Sequence, residues 1–306
     1  MNNKLDNKHR DKRADDQMDK ILCYTLAGGQ ARAYVAKTTN MVRAAQSTHG
    51  LSPVAAVALG RAIAFTAIMA VQMKGEEDRL SIIVKGDGPL GSITTAARSD
   101  GSVKGFVDNP GAQVLPTPEG RLNVGAAVGK EGRITVVKDL GMKEPYVGNV
   151  ALQTGELGDD FAYYLLASEQ QPSAVALGVL LRDGQIASAG GILLSPLPGC
   201  SEEVLTFLEN SAPLIADVSS LFEGNSAEDV GEILFYPIQH KLEGEFFPEY
   251  KCDCSRERLE GVLRGIDNDE LQDMIEKQGG AQVVCHFCRS EYDFSAEELD
   301  SFIKQR

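Results

Sequence analysis

Cys252-Asp253-Cys254 and Cys285-His286-Phe287-Cys288 set four thiols in two close pairs with thirty residues between them. Thiolates are soft ligands, and four sulfurs from two converging arms fit one tetrahedral zinc ion better than an oxygen-loving cation; an iron–sulfur cluster has less local motif support. Cys252, Cys254, Cys285 and Cys288 are therefore expected to hold one Zn2+ per chain. The plain alternative is a closed zinc staple that props up a small lobe and does nothing else. A switch gains weight from the first pair, because Cys-x-Cys is tighter than the spacing of about two to four residues usual in zinc ribbons. Adjacent thiols in both pairs are poised to oxidise locally. Disulfides Cys252–Cys254 and Cys285–Cys288 would each consume two ligands and eject the metal. Structural zinc supplies on the order of 10 to 16 kcal/mol of apparent folding energy, against about 3 to 5 kcal/mol from a core this small. Oxidation should then unfold the lobe, since disulfides closing tiny loops restrict the unfolded chain very little.

Other residues invite weaker readings. His286 lies inside the second pair, but four sulfurs already complete a tetrahedral shell, so a surface imidazole or a group supporting the ligands is expected. Cys23 and Cys200 stand alone, and a lone cysteine is more often a small inert side chain than a reactive one. Gly86-x-Gly88 and Gly190-Gly191 lack the full dinucleotide or Walker pattern and read as turns. No nucleophile elbow, zinc-protease or deaminase pattern occurs, and His49 and His240 have no recognisable partners in the sequence. The chain is therefore read as not an enzyme. Two competing functions are an enzyme whose zinc lobe is merely structural and a zinc-ribbon adaptor.

The elements that must position the four thiols are punctuated clearly. Between the pairs, Ser255–Ile266 and Asp267–Gln278 predict two short helices, the second started by Asp267 and Glu270 and stopped by Gly279-Gly280. Gln282–Val284 leads a strand into the second pair. Ser295 with Glu298 caps a last helix that ends on Phe302 and Ile303. Upstream, Ile21–Leu26 and Ala31–Thr38 predict a hairpin turning at Gly28-Gly29. A central helix starts at Ser52-Pro53 and runs to Lys74, with Gly75 as its left-handed stop. Its Pro53–Met73 run is interrupted by Gly60, Arg61, Thr66 and Gln72, so a buried soluble helix explains it better than a membrane span. Short β-prone runs from Leu80 to Val150 predict a mainly antiparallel sheet. Asp159–Gln170 reads as helix, and Ala174–Leu181 as an apolar stretch before the Asp183-Gly184 turn.

Ser195-Pro196-Leu197-Pro198-Gly199 interrupts any regular helix or central strand, and a domain boundary is expected there. The reading is an α+β protein: a charged disordered tail over 1–18, a mixed sheet and helix domain over 19–198, a metastable helical acidic linker over 199–250 and a zinc domain over 251–306. The linker carries three amphipathic segments, the third opened by a Ser226–Asp229 capping box. Fifty residues cannot build a strong core alone, so their apolar faces must lie on something else.

Over 306 residues the formal net charge is -14, and its distribution is uneven. Residues 1–200 carry 21 bases and 20 acids, residues 201–250 carry 11 acids against Lys241 alone, and residues 251–306 carry 13 acids against 8 bases. This balance repels phosphate backbones and anionic lipid, so neither nucleic acid nor membrane is expected as a partner. No apolar leader follows Met1, which points to a reducing cytoplasm where clustered cysteines more often hold metal or sense redox state than form permanent disulfides.

At these residues the sequence resembles the redox-regulated bacterial molecular chaperones of the thirty-three-kilodalton heat-shock chaperonin family. The two cysteine pairs, at their distance from the C-terminus, are the specific part of the likeness. Lys85-Gly86-Asp87-Gly88-Pro89-Leu90-Gly91, Tyr163-Tyr164-Leu165-Leu166-Ala167-Ser168-Glu169-Gln170 and Gly190-Gly191-Ile192-Leu193 with Leu197-Pro198-Gly199 extend it from about Asp19 to the end. The resemblance implies an ATP-independent holdase, inactive while reduced and zinc-bound. Oxidants acting with heat would form the two disulfides, release zinc, unfold the zinc domain and linker, favour a homodimer and expose a surface for unfolding client proteins.

Overall fold

Strand alternation sets up two apolar faces from the first residues that can be described. In the computed structural model, which describes residues 18–305, β1 (Lys20–Leu26) and β2 (Ala31–Lys37) form the expected hairpin. Its turn places Ala27, Gly28 and Gly29 at positive φ, which suits the two glycines. The tail reading lies, apart from Met18, outside the described residues.

After α1 (Thr39–His49) comes the central helix α2 (Pro53–Ala70), with Pro53 in its first turn and the Ser52 side chain accepting from the Ala55 N–H. By length and composition α2 could cross a bilayer, yet every residue of it except Pro53 and Arg61 is buried in the protein. The strands β3 (Arg79–Lys85), β4 (Ser92–Arg98), β5 (Ser102–Val107), β6 (Arg133–Asp139) and β7 (Tyr146–Ala151) follow, with the short α3 (Val124–Val128) before β6. Then come α4 (Leu157–Ala167), β8 (Ala174–Arg182) and β9 (Gln185–Pro196). The acidic stretch contains α5 (Glu202–Ile215), α6 (Val218–Leu221), α7 (Ala227–Phe235), β10 (His240–Phe246) and β11 (Glu249–Tyr250).

Two sheets result. One is antiparallel, in the order β10-β1-β2-β9-β8; the other runs β11-β5-β4-β3-β6-β7 and is antiparallel except where β11 joins β5. Helix α2 packs against strands of both sheets, and a single core joins Ile63, Phe65 and Ile68 of the helix to Ile21 and Tyr34 on one side and Ile82, Val84 and Ile134 on the other. The opposite face of the five-stranded sheet carries Leu22, Tyr24, Leu26, Ala33, Val35, Ile192 and Leu194, and is covered by Val204, Leu208, Ile215, Phe222, Val230, Leu234 and Phe235 from α5 to α7. The approach is close at Gly190, where a Cβ would stand 2.3 Å from the Phe222 ring.

Several expectations change. The compact units divide at Tyr250/Lys251, where the zinc domain was expected to begin; no such division falls at Ser195–Gly199, where Ser195 and Pro196 end β9 and Pro198-Gly199 turn the chain toward α5. The helical reading of 199–250 holds only as far as Phe235. His240–Phe246 alternates and supplies the edge strand next to β1, with Thr25 donating to Glu243 across the pair. Helix α2 ends at Ala70, four residues short of Lys74, with the Gln72 amide donating to the Ile68 carbonyl; the Gly75 N–H is taken by Asp78 in a separate turn. Helix α1 was not expected, because the polar Thr39, Asn40, Arg43, Gln46 and Ser47 mask its narrow apolar stripe.

Asp19 caps α1 from outside the helix, accepting the Asn40 N–H at 2.9 Å and the Met41 N–H at 2.6 Å. Burial pushes its carboxyl up to about 6 from 3.8, against those two hydrogen bonds and the charges of Lys37 and Arg43. The folded state thus binds this proton more tightly than the unfolded chain. The contribution to stability is complete below about pH 4 and is lost as the pH rises through 6. Asp19→Asn is expected to flatten the pH dependence of the thermal midpoint between pH 4 and 7, and an unchanged slope would remove Asp19 as its source.

Candidate metal centre

The second unit is small, and its local signals all act near the cysteines. It contains α8 (Arg256–Leu263), α9 (Asn268–Gln278), β12 (Gly280–Val284), β13 (Glu291–Ser295) and α10 (Ala296–Lys304). Asp267 and Gly279 bound α9 as expected, with Gly279 left-handed. The Ser295–Glu298 capping box opens α10. Among the described residues, only Leu263, Leu271, Phe294, Leu299 and Phe302 form its fully buried core.

The β12–β13 hairpin presents the second pair on its turn. The Cys285 N–H donates to the Ser290 carbonyl at 2.9 Å, and the Arg289 N–H donates back to the Cys285 carbonyl at 2.8 Å. Arg289 takes φ 62°, a left-handed conformation unusual for its type, so the turn is tight enough to bring both sulfurs to one side. The first pair lies on the arm before α8. There the Asp253 carboxylate is held by Arg258 at 2.6 Å, and Ser255 caps the helix. Arg256 ties the start of α8 to the hairpin and to α10: it donates to the Asp293 carbonyl at 2.8 Å, pairs with Glu298 at 2.6 Å and lies over the Phe294 ring at 4.4 Å.

These elements bring the four sulfurs of Cys252, Cys254, Cys285 and Cys288 within 4.8 Å of one another, all half-buried. Cys252 and Cys285 are 3.8 Å apart and Cys254 and Cys288 3.3 Å apart, so close contacts run between the pairs. Four soft donors at mutual contact, on arms fixed by ion pairs, are a donor set suited to one tetrahedral ion. The Tyr292 hydroxyl lies 3.2 Å from the Cys254 sulfur, and the Ser290 hydroxyl 3.2 Å from that of Cys288. At Cys288 burial opposes the thiolate, but hydrogen bonds from Ser290 and the neighbouring sulfurs prevail and bring the thiol down to about 7. At Cys254 burial prevails and the thiol rises. The hydroxyl of Tyr292 is pushed up to about 12, first by its hydrogen bond to Cys254.

The remaining candidates lie elsewhere. His286 is exposed and outside the sulfur cluster. Cys23 is half-buried on β1, its thiol pushed up by burial; Cys200 is half-buried ahead of α5. Contrary to the sequence reading, both lone histidines have partners. His49 Nε2 is 3.1 Å from the Tyr250 hydroxyl, and His240 Nδ1 lies 3.0 and 3.1 Å from the carbonyls of Phe235 and Ile238. Gly86 and Gly88 pass against the backbone of Ala127 and Val128, too close for a Cβ, and so serve chain crossing. Sequence reasoning missed Tyr292, Ser290 and the Asp253–Arg258 pair. Alternation along β13 could have flagged Tyr292; nothing in spacing would have flagged the others.

Comparison with known proteins places this arrangement. The sequence model of the family described as Hsp33 protein matches residues 19–295. The "33 kDa chaperonin" of Caldanaerobacter subterraneus subsp. tengcongensis is 41% identical over 94% of this chain and 98% of its own, and that of Desulforamulus reducens 44% over the same shares. The crystal structure of the 33 kDa chaperonin (heat shock protein 33 homolog) from Thermotoga maritima superposes with a TM-score of 0.86 at 33% identity, covering 94% of this chain and 99% of the other. Fold, cysteine cluster and near full-length similarity agree, and the chain belongs to the Hsp33 family.

Proposed function

We propose that this protein is a redox-regulated, ATP-independent holdase chaperone, with Cys252, Cys254, Cys285 and Cys288 as its switch. The observation that carries this reading is the convergence of four sulfurs in a unit whose fully buried core is five side chains. Such a core supplies about 3 to 5 kcal/mol, so the unit depends on what binds the sulfurs. Zinc bound there would supply the cross-link between the first arm and the hairpin. At rest the four thiolates would hold that ion, and through it the two arms, in the reducing cytoplasm that keeps them reduced. Peroxide takes two electrons from each sulfur pair.

We assign the oxidised pairing to Cys252 with Cys254 and Cys285 with Cys288. Each bond closes a loop of a few residues and leaves the arms untied, whereas a bond from Cys252 to Cys285 would staple the arms together. Peptide mapping of the oxidised chain distinguishes the two, and recovery of a Cys252–Cys285 or Cys254–Cys288 peptide would refute the assignment. Lys251 follows Tyr250 directly in the chain, so unfolding from Lys251 onward removes the folded unit that follows β11, the last element of the acidic stretch. Detachment of α5–α7 bares the Leu22, Tyr24, Val35, Ile192 and Leu194 face, which suits apolar segments of unfolding clients and a second copy of the oxidised chain.

The test compares light scattering from a heat-unfolded client with the reduced, zinc-loaded protein and with protein treated with peroxide under mild warming. Zinc release is followed with a chromogenic chelator and the oligomeric state by sedimentation. Protection confined to the oxidised sample, after zinc has left, is expected. Equal behaviour of the two samples, or zinc loss without protection, refutes the switch.

A further inference from the structure

Two hydroxyls reach the sulfur cluster, and they differ in what they join. Ser290 is two residues from Cys288 in the same turn, so its 3.2 Å contact is local. Tyr292 is 38 residues from Cys254 in sequence. It stands on β13 opposite Val283 of β12, and its ring packs at the edge of the small core. Its hydroxyl lies 3.2 Å from the Cys254 sulfur and 3.5 Å from the carbonyl of the same residue. A thiolate has no proton to give, so in the reduced, metal-holding state the phenol is the donor and the sulfur the acceptor. This hydroxyl is thus a link from the hydrophobic core to the Cys252–Cys254 arm that does not pass through the metal.

We infer that Tyr292 is a positioning residue for the redox switch: its hydroxyl holds the Cys254 thiolate as a ligand and restrains its attack on oxidants, and so sets how readily the first pair is oxidised. The inference rests on the zinc-switch reading above. In the step concerned, the Cys254 thiolate attacks one oxygen of hydrogen peroxide; an S–O bond forms, the O–O bond breaks and hydroxide leaves. The Cys252 thiolate then attacks that sulfur, forming the S–S bond and expelling a second hydroxide. Two electrons pass from the sulfur pair to one peroxide. A hydrogen bond donated to the Cys254 sulfur withdraws electron density from the attacking lone pair and must be weakened before the sulfur turns toward the oxidant. Once the S–S bond has formed, the acceptor is no longer charged and the link from core to arm weakens with it. The tyrosine therefore strengthens the resting state and contributes little to the oxidised one.

Groups that support metal ligands typically change affinity by about 10- to 100-fold when removed. Full-length Tyr292→Phe keeps the ring and loses only the hydroxyl. It is expected to bind one zinc per chain about ten-fold more weakly in chelator competition and to release it about ten-fold faster under a fixed peroxide concentration. With cobalt in place of zinc, its sulfur-to-metal charge-transfer band should move to lower energy. Difluorotyrosine incorporated in place of Tyr292, a stronger donor on the same ring, should slow release below the wild-type rate. That opposite sign is not produced by a merely structural role, and it keeps the test decisive even if the phenylalanine variant folds poorly. Identical release rates and cobalt spectra for wild type and Tyr292→Phe, or faster release with the fluorinated residue, would overturn the inference. Failure of the wild-type chain itself to bind zinc would instead refute the reading on which it rests.

Discussion

Cys285→Ser is expected to abolish tight zinc binding and to unfold residues 251–306 while the core around α2 stays folded. Serine offers a neutral hydroxyl where the set needs a fourth thiolate, and the remaining three sulfurs cannot close a tetrahedral shell. The loss falls on a unit whose described residues bury fully no more than Leu263, Leu271, Phe294, Leu299 and Phe302 as a core. Structural zinc supplies on the order of 10 to 16 kcal/mol of apparent folding energy, well above the roughly 3 to 5 kcal/mol that such a core provides. The surface ion pairs Lys277–Asp273 and Lys304–Asp300 cannot make up the difference, since exposed pairs contribute about 0 to 1 kcal/mol each. Hydrogen exchange measures this directly. Amides of β12 and β13 should lose protection, whereas those of β2 and β9, buried in the first unit, should keep it. Protection of β12 and β13 that persists without bound metal would show that the unit folds on its own, and the four sulfurs would then be no folding switch.

The sulfur site was legible from the sequence because its signal is chemical: four soft donors in two tight pairs restrict both the ion and its geometry. Caps were legible for a similar reason. Ser52-Pro53, Ser226–Asp229, Ser295–Glu298 and Gly279 each satisfy helix-end groups locally, and each appears where the residue types put it. What the sequence hid is set by distant partners. His240–Phe246 is a strand because β1 offers it an edge, and no residue within 199–239 announces that. The apolar faces of α5–α7 were visible as needing a partner, but which surface they cover is decided by the alternation of Leu22, Tyr24 and Leu26 some two hundred residues away. Tyr292 reads as an ordinary strand aromatic; only the fold brings its hydroxyl to Cys254.

Phe235→Ala should give a chaperone that binds unfolding clients while still reduced and zinc-loaded. Phe235 is fully buried at the end of α7, with its ring edge-on to Tyr24 of β1 at 5.3 Å between centroids. Truncating a buried phenylalanine costs about 3 to 5 kcal/mol, a large share of the stability of any single layer. The loss is local, because Phe235 packs with α5–α7 and the outer sheet face and has no part in the core around α2. The layer is also poorly placed to absorb it: residues 202–235 carry eight acids and no base, and although Glu228 pairs with Lys20 and Glu223 with Arg182, the others repel one another. Detachment would bare Leu22, Tyr24, Leu26, Val35, Ile192 and Leu194 together, a contiguous apolar face of the kind that binds nonpolar segments. The expected result is suppression of client aggregation without peroxide, increased binding of a hydrophobic dye, and one zinc still bound per chain. Unchanged exchange protection in α2 would confirm that only the outer layer has opened. If Phe235→Ala protects clients only after oxidation, the acidic layer does not cover the client surface, and unfolding of residues 251–306 must supply that surface itself.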